Sequence, residues 1–271
     1  MRTPSLVAYS YLMTGQGRPE DLQFSQPPVR STRLTVRCDQ NRMISMSDVA
    51  PLIDTWATDY GTLEEEVPDP EAMERLRSKD TPRDWPMPAV RFVNQSGTEA
   101  IIVQNGRFDI EWTFASDTEG ASLYPGYDAL ESELQKRFDE YRDRVRIRGL
   151  DITPYGAECR YENPLPECSA AEAAVGVLTQ WSGEPAVYLP ENGYVGVRLH
   201  GCADPANNDC SSYIAVDGDP EAVPILSIVV EKMDADGTRP LGGLRQAHDE
   251  LIDLFFQYTS SEQHEKWGME R

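Results

Sequence analysis

Basic charge is scarce in this chain. Lys and Arg number 25 against 46 Asp and Glu in 271 residues, a formal net charge of −21. Such a charge repels phosphate backbones and anionic lipid surfaces, which argues against nucleic-acid and membrane binding. Histidine is nearly absent, with three residues, and cysteine is sparse: Cys38, Cys159, Cys168, Cys202 and Cys210. An odd, irregularly spaced set is no disulfide framework and points to a reducing, cytoplasmic setting. No apolar run is long enough to span a bilayer, and the first residues lack a sustained apolar stretch and a small-residue cleavage site. A Gly-x-Ser-x-Gly elbow, a phosphate loop and a dinucleotide fingerprint are missing too, so the chain reads as non-enzymatic, with no cofactor expected.

What is present is hydrophobic patterning. Residues 1–28 form a polar, Pro-rich arm ending in Gln26-Pro27-Pro28. From Val29 to Cys38 the chain alternates, with Leu34, Val36 and Cys38 on one side and Arg33, Thr35 and Arg37 on the other, as a half-buried strand does. Ser45 or Ser47 can cap a helix through Tyr60, with Val49, Leu52, Ile53 and Trp56 at helical spacing. Glu64 to Pro88 reads as an acidic connection with a helical turn near Met73–Leu76. Strands follow at Val90–Val93 and Glu99–Val103. Asn105-Gly106 then turns the chain into the alternating run Phe108, Ile110, Trp112, Phe114, and both turn positions are expected at positive φ. Tyr127, Leu130, Leu134, Phe138, Tyr141 and Val145 form the stripe of a long helix that Gly149 ends. Ile152–Asn163 is another strand.

The second part repeats the plan. Strands are expected at Val175–Trp181, Ala186–Leu189, Val195–Leu199, Ser212–Val216 and Val223–Met233, with a turn at Asn192-Gly193. Counted from Gly106 and from Gly193, apolar residues fall two, four and six positions on. Gly242-Gly243 opens a closing helix with Leu244, His248, Leu251, Phe255 and Tyr258 on its stripe. Thr259 and Glu262 have capping-box spacing for a short last helix holding Trp267. Together these predict an α+β protein, an antiparallel sheet with long helices packed on one face. Residues 29–164 and 165–271 would be pseudo-two-fold duplicated halves, within one continuous domain or as two.

Several segments resemble a sporadically distributed family of bacterial proteins of about this length with no assigned biochemical activity. They are Gln26-Pro27-Pro28-Val29, Val103-Gln104-Asn105-Gly106-Arg107-Phe108 with Trp112, Tyr124-Pro125-Gly126-Tyr127, Glu158-Cys159-Arg160-Tyr161-Glu162-Asn163, and His248, Phe255 and Trp267-Gly268. The chain departs from that pattern at Arg30 and Ser31, where the family carries an acidic residue. Patchy distribution implies horizontal transfer, as for defence or toxin–antitoxin loci.

Candidate binding residues are Arg107, Trp112, Tyr124, Tyr127, Asn163 and His248. In the plain reading the tyrosines pack on a helix–sheet seam and Arg107 pairs with an acidic neighbour. In the functional one they rim a pocket where Arg107 holds an anion or a partner's carboxylate. His200, Cys202 and Cys210 are a lesser metal alternative, at a spacing that matches no standard zinc pattern. The expected function is therefore protein binding or self-association, as an adaptor, chaperone or antitoxin-like component that forms a homo-oligomer or holds a protein partner. Alternatives are a small-molecule site between sheet and long helix, motivated by Phe108, Trp112, Phe114, Tyr127, Phe138, Tyr141 and Trp181, and an acidic nucleic-acid mimic.

Overall fold

A computed structural model describes residues 23–24, 28–68, 87–113, 124–182, 194–201, 210–218, 222–233 and 241–270. The strands are β1 (Gln23–Phe24), β2 (Ser31–Gln40), β3 (Thr62–Glu66), β4 (Ala89–Val93), β5 (Glu99–Gln104), β6 (Arg107–Thr113), β7 (Ile152–Pro164), β8 (Val195–Gly201), β9 (Cys210–Gly218), β10 (Ile225–Met233) and β11 (Met269–Glu270). The helices among the described residues are α1 (Met46–Trp56), α2 (Tyr127–Arg146), α3 (Ala170–Thr179), α4 (Gly242–Tyr258) and α5 (Ser261–Lys266). Nine strands form one antiparallel sheet in the order β3-β4-β5-β6-β2-β7-β10-β9-β8. The fold is α+β, as the patterning predicts.

Strand β2 is the hinge of the topology, because it pairs with β6 on one side and β7 on the other. Alternation decides its two faces. Leu34 and Val36, fully buried, stand opposite Ile110 and Phe108 in β6 and Cys159 and Ala157 in β7. On this apolar side Phe108 stacks on Tyr141 of α2 at 5.2 Å and meets Trp56 of α1 at 6.3 Å. The α4 residue His248 lies 5.9 Å from Tyr161 of β7, two positions along from Cys159. With edge strand β3 left out, the elements run in one order on either side of the β2–β7 pair: β2-α1-β4-β5-β6-α2, then β7-α3-β8-β9-β10-α4; β3 has no counterpart among the described residues, and β7 opens the second series although the expected halves divide after residue 164. Short β1 pairs with β11, tying the arm to the C-terminal end.

Five expectations need correction. Val175–Trp181 is not a strand: Ala170–Thr179 is helical, opened by a Ser169/Glu172 capping box that the Ala-rich run continues. The acidic connection expected from Glu64 instead starts inside an edge strand, Thr62–Glu66, where Arg91 draws in Glu64 and Glu66 at 3.5 and 3.6 Å. Helix α1 stops at Trp56, although the Tyr60 amide still reaches the Trp56 carbonyl at 2.7 Å. At the Asn105-Gly106 turn only Gly106 has positive φ, 77°, because the Asn105 side chain is held in place, accepting from the Ile44 amide and the Gln40 amide group at 2.7 Å each. The cap of α5 is Ser260 with Gln263, one residue past the expected pair, and Thr259 is occupied with His264 Nε2 at 2.7 Å. The expected turn at Met73–Leu76, the strand at Ala186–Leu189, the Asn192-Gly193 turn and Phe114 lie outside the described residues.

Candidate functional site: a charged grid on one side of the sheet

The side chains that alternate with the apolar set on β2, β6 and β7 face away from these helices. Register places them in rungs: Ser31 between Thr113 and Glu162, Arg33 between Glu111 and Arg160, Thr35 between Asp109 and Glu158, Arg37 between Arg107 and Gly156. Flanking strands add Arg91 from β4, and Glu231 of β10 stands opposite Glu158. With these flanks two of the four rungs carry both signs of charge, and the charges meet within and between rungs. Arg33 Nε donates to Glu111 at 2.8 Å, and Arg91 reaches the other oxygen of Glu111 at 2.6 Å. Arg37 bridges Glu158 at 2.5 Å and Glu231 at 3.0 Å. Arg107 donates to the Thr35 hydroxyl at 2.9 Å and pairs with Asp109 at 3.1 Å and Glu158 at 3.5 Å. Arg160 donates to Glu162 at 2.8 Å, and Ser31 donates to the second oxygen of the same carboxylate at 3.0 Å.

Burial runs along the grid. Arg37, Arg107, Asp109 and Glu158 are buried, whereas the side chains of Arg33, Arg160 and Glu162 are 27%, 35% and 29% exposed. At that open end lies a cleft of about 460 Å³, lined by Arg30, Ser31, Arg33, Glu111, Thr113, Arg160, Glu162 and Ile225. The electrostatics are those of fixed charges. Burial alone would raise Glu158, but Arg107 and Arg37 outweigh it and hold its carboxyl below the ordinary value. Glu111 is likewise lowered by Arg33 and Arg91 against the effect of burial. Arg33 and Arg37 resist desolvation and are raised, by Asp109 and Glu111 and by Glu158 and Glu231.

The residues singled out in the sequence fall in two places. Arg107 belongs to the grid. The others gather on the opposite side, around Tyr161. Trp112 lies edge-on to Tyr124 at 5.0 Å, the Tyr124 and Tyr161 hydroxyls are 3.0 Å apart, and His248 stacks on Tyr127 at 3.9 Å. Asn163, two positions beyond Tyr161 on β7, donates to the Leu226 carbonyl at 3.2 Å, and its Oδ1 is buried without a partner. Burial pushes the Tyr124 hydroxyl up to about 12, against the pull of the Tyr161 and Thr32 hydroxyls, and lowers His248 to about 4. At neutral pH this seam is an uncharged set of rings and hydroxyls.

Other candidate chemistry is dispersed. Among the described residues no three His, Cys, Asp or Glu side chains converge as a metal site. His200 is exposed near Tyr213 at the end of β8, while Cys202 and the Cys210 side chain lie outside the described residues. Burial raises the thiols of Cys38 and Cys159, and raises Cys168 to about 11, so they are weak nucleophiles. The aromatic residues expected to line a cavity against α2 pack on one another: Phe108 meets Phe138 at 5.3 Å as well as Tyr141. No described helix is long and apolar enough to cross a membrane.

The grid escaped sequence reading because each strand looks like an ordinary solvent-facing alternation. Only the order β6-β2-β7 brings Arg107-x-Asp109-x-Glu111, Arg33-x-Thr35-x-Arg37 and Glu158-x-Arg160-x-Glu162 side by side. The usable signal was that two of these alternations carry both signs of charge and the third carries two arginines. No family model matches the chain, and no curated protein matches it.

Proposed function

We propose that this chain is a non-enzymatic binding protein of the bacterial cytoplasm, an adaptor or immunity-type component that holds a protein partner at the open end of the charged side of its sheet. The observation that carries this reading is the charged grid. General acid–base catalysis wants a group whose pKa lies near the working pH. The grid does the reverse: Glu111 and Glu158 are lowered and Arg33 and Arg37 raised, so they keep their charges throughout the neutral range. Fixed, mutually braced donors and acceptors suit recognition, where charge pattern sets which partner is accepted. The order of elements about the β2–β7 pair, matching once edge strand β3 is set aside, supports an origin by duplication, with a pseudo-two-fold axis at that pair.

The test is native mass spectrometry of the tagged full chain recovered from its host. A stoichiometric second protein, or a second copy of the chain, is expected. The variant Arg33→Glu with Arg160→Glu should lose it while retaining the wild-type circular dichroism spectrum. A lone monomer from the wild-type preparation sinks the reading.

A further inference from the structure

We infer that the cleft between Arg30, Arg33 and Arg160 is a carboxylate-binding site, for a monoanion that carries a hydroxyl or ammonium donor close to its carboxylate. This rests on the proposed reading of the charged side as a recognition surface and names what that surface grips. Three guanidinium groups line the cleft against two carboxylates, Glu111 and Glu162, so its walls are net positive within a chain of net charge −21. Arg33 and Arg160 stand directly opposite each other on β2 and β7. Each is already aligned by one carboxylate, Glu111 for Arg33 and Glu162 for Arg160. A guanidinium has five donors in a rigid fork, so an Arg fixed on one side still offers its other edge to a carboxylate. Arg160 Nε is buried without a partner, and Arg30, exposed at the rim, makes no ion pair with a described residue.

The lining also selects among anions. A phosphate dianion would face Glu111 and Glu162, and no described helix presents to the cleft the N-terminus that commonly cradles phosphate. The same two glutamates, with the Ser31 and Thr113 hydroxyls, accept hydrogen bonds from a donor beside the carboxylate. Ile225 supplies an apolar contact for a short aliphatic group. A volume of about 460 Å³ has room for more than one carboxylate group, so the ligand is a free amino or hydroxy acid, or the carboxy-terminal end of a peptide.

The test is a titration of the full-length protein followed by NMR at the arginine side-chain N–H signals. The probes are L-alanine, L-lactate, the dipeptide Gly-Ala, its C-terminal amide, and inorganic phosphate. Saturable shifts at Arg33 and Arg160 are expected with the carboxylates, and the amide should bind at least about tenfold more weakly. A dipeptide that outcompetes both free acids identifies a peptide terminus as the source, and the opposite order identifies a free acid. Arg30→Ala removes an exposed side chain, so the thermal midpoint should hold while affinity drops about tenfold. The inference is overturned if no carboxylate gives saturable shifts in the millimolar range, if amide or phosphate binds as tightly, or if Arg30→Ala leaves affinity unchanged. A partner retained in native mass spectrometry without carboxylate shifts defeats this inference alone. Carboxylate binding by a partnerless monomer defeats the protein-partner reading alone.

Discussion

His248 shows how a single buried ring couples the seam to pH. Its ordinary value of 6.5 falls to about 4, because burial disfavours the charged ring. Arg245 lowers it further, while Asp249 and Asp128 pull it up without restoring it. Tyr127 and Tyr161, the rings packed against it, are themselves raised by burial and stay neutral. An unfolded chain takes up a proton on this residue near 6.5, while the folded protein resists until about 4. Stability is therefore complete above 6.5 and falls as pH drops through that window, by up to about 1.4 kcal/mol per pH unit. His248→Phe keeps a ring against Tyr127 and removes the titration. Urea unfolding of both proteins from pH 7 to 4 should give a flatter curve for the variant. The difference between curves isolates His248 from His264, which burial also lowers. Arg137 is a second case: buried in α2, it donates to Glu133 at 2.6 Å and Glu140 at 3.2 Å, pairs with Asp59, and lies 5.0 Å from the Tyr60 ring. Arg137→Met keeps much of the stem but strands partly exposed carboxylates, so a loss of about 2 kcal/mol in urea is expected with the slope unchanged. Residue types with a strong packing signature, Trp112, Tyr124, Tyr127 and His248, could be picked from the sequence as neighbours. The grid could not, since a charged residue on a strand reads the same whether it faces water or another charge.

Helix α3 marks where periodicity misleads at the scale of an element. Val175 to Trp181 has the apolar density of a strand, but Ala, Glu and Leu around it favour a helix and the Ser169/Glu172 box starts one. What settles the helix in place is two glycines that no pattern flags. A Cβ at Gly218 would stand 2.6 Å from the Ala170 Cβ, and one at Gly176 would stand 2.5 Å from the Trp181 indole. The close seat at Gly176 lets Trp181, with a left-handed φ of 55°, donate its indole N–H to the Tyr258 carbonyl at 2.7 Å and so tie α3 to the end of α4. Gly176→Ala improves intrinsic helix propensity yet collides with the ring. The collision should dominate, with a net loss of about 1–3 kcal/mol and a red-shifted Trp181 emission as the indole leaves its seat. An unchanged or raised thermal midpoint would show that the ring moves freely. By contrast β5, β6 and α2 were legible to within a residue or two, because a glycine turn and an unbroken stripe leave few alternatives. Edge strand β3 was not, since Thr62–Glu66 is exposed throughout and has no buried face to betray its period.

At the scale of the molecule, the β2–β7 pair decides whether the two parts of the chain behave as one. Ten residues of β2, Ser31 to Gln40, find partners in β7, with a register shift after Arg37. The apolar side of this join contains Leu34, fully buried between Ile110 of β6 and Cys159 of β7. On the charged side Arg37, Thr35, Arg107 and Asp109 connect β2 and β6 with Glu158 of β7 and Glu231 of β10. Neither part could be withdrawn without exposing Leu34 and leaving Glu158 buried without its arginines, a combination that costs more than a separate opening would return. Unfolding should therefore be a single transition, with Trp56 reporting on one side of the join and Trp267 on the other. Leu34→Ala should lower stability by about 3 kcal/mol and move both reporters together. Single-tryptophan versions of the variant, followed in urea, would separate into two midpoints if the join were only a contact between independent domains. Coincident midpoints at the lower urea concentration are the expected result, because the residue removed belongs to the strand pair that joins the two parts.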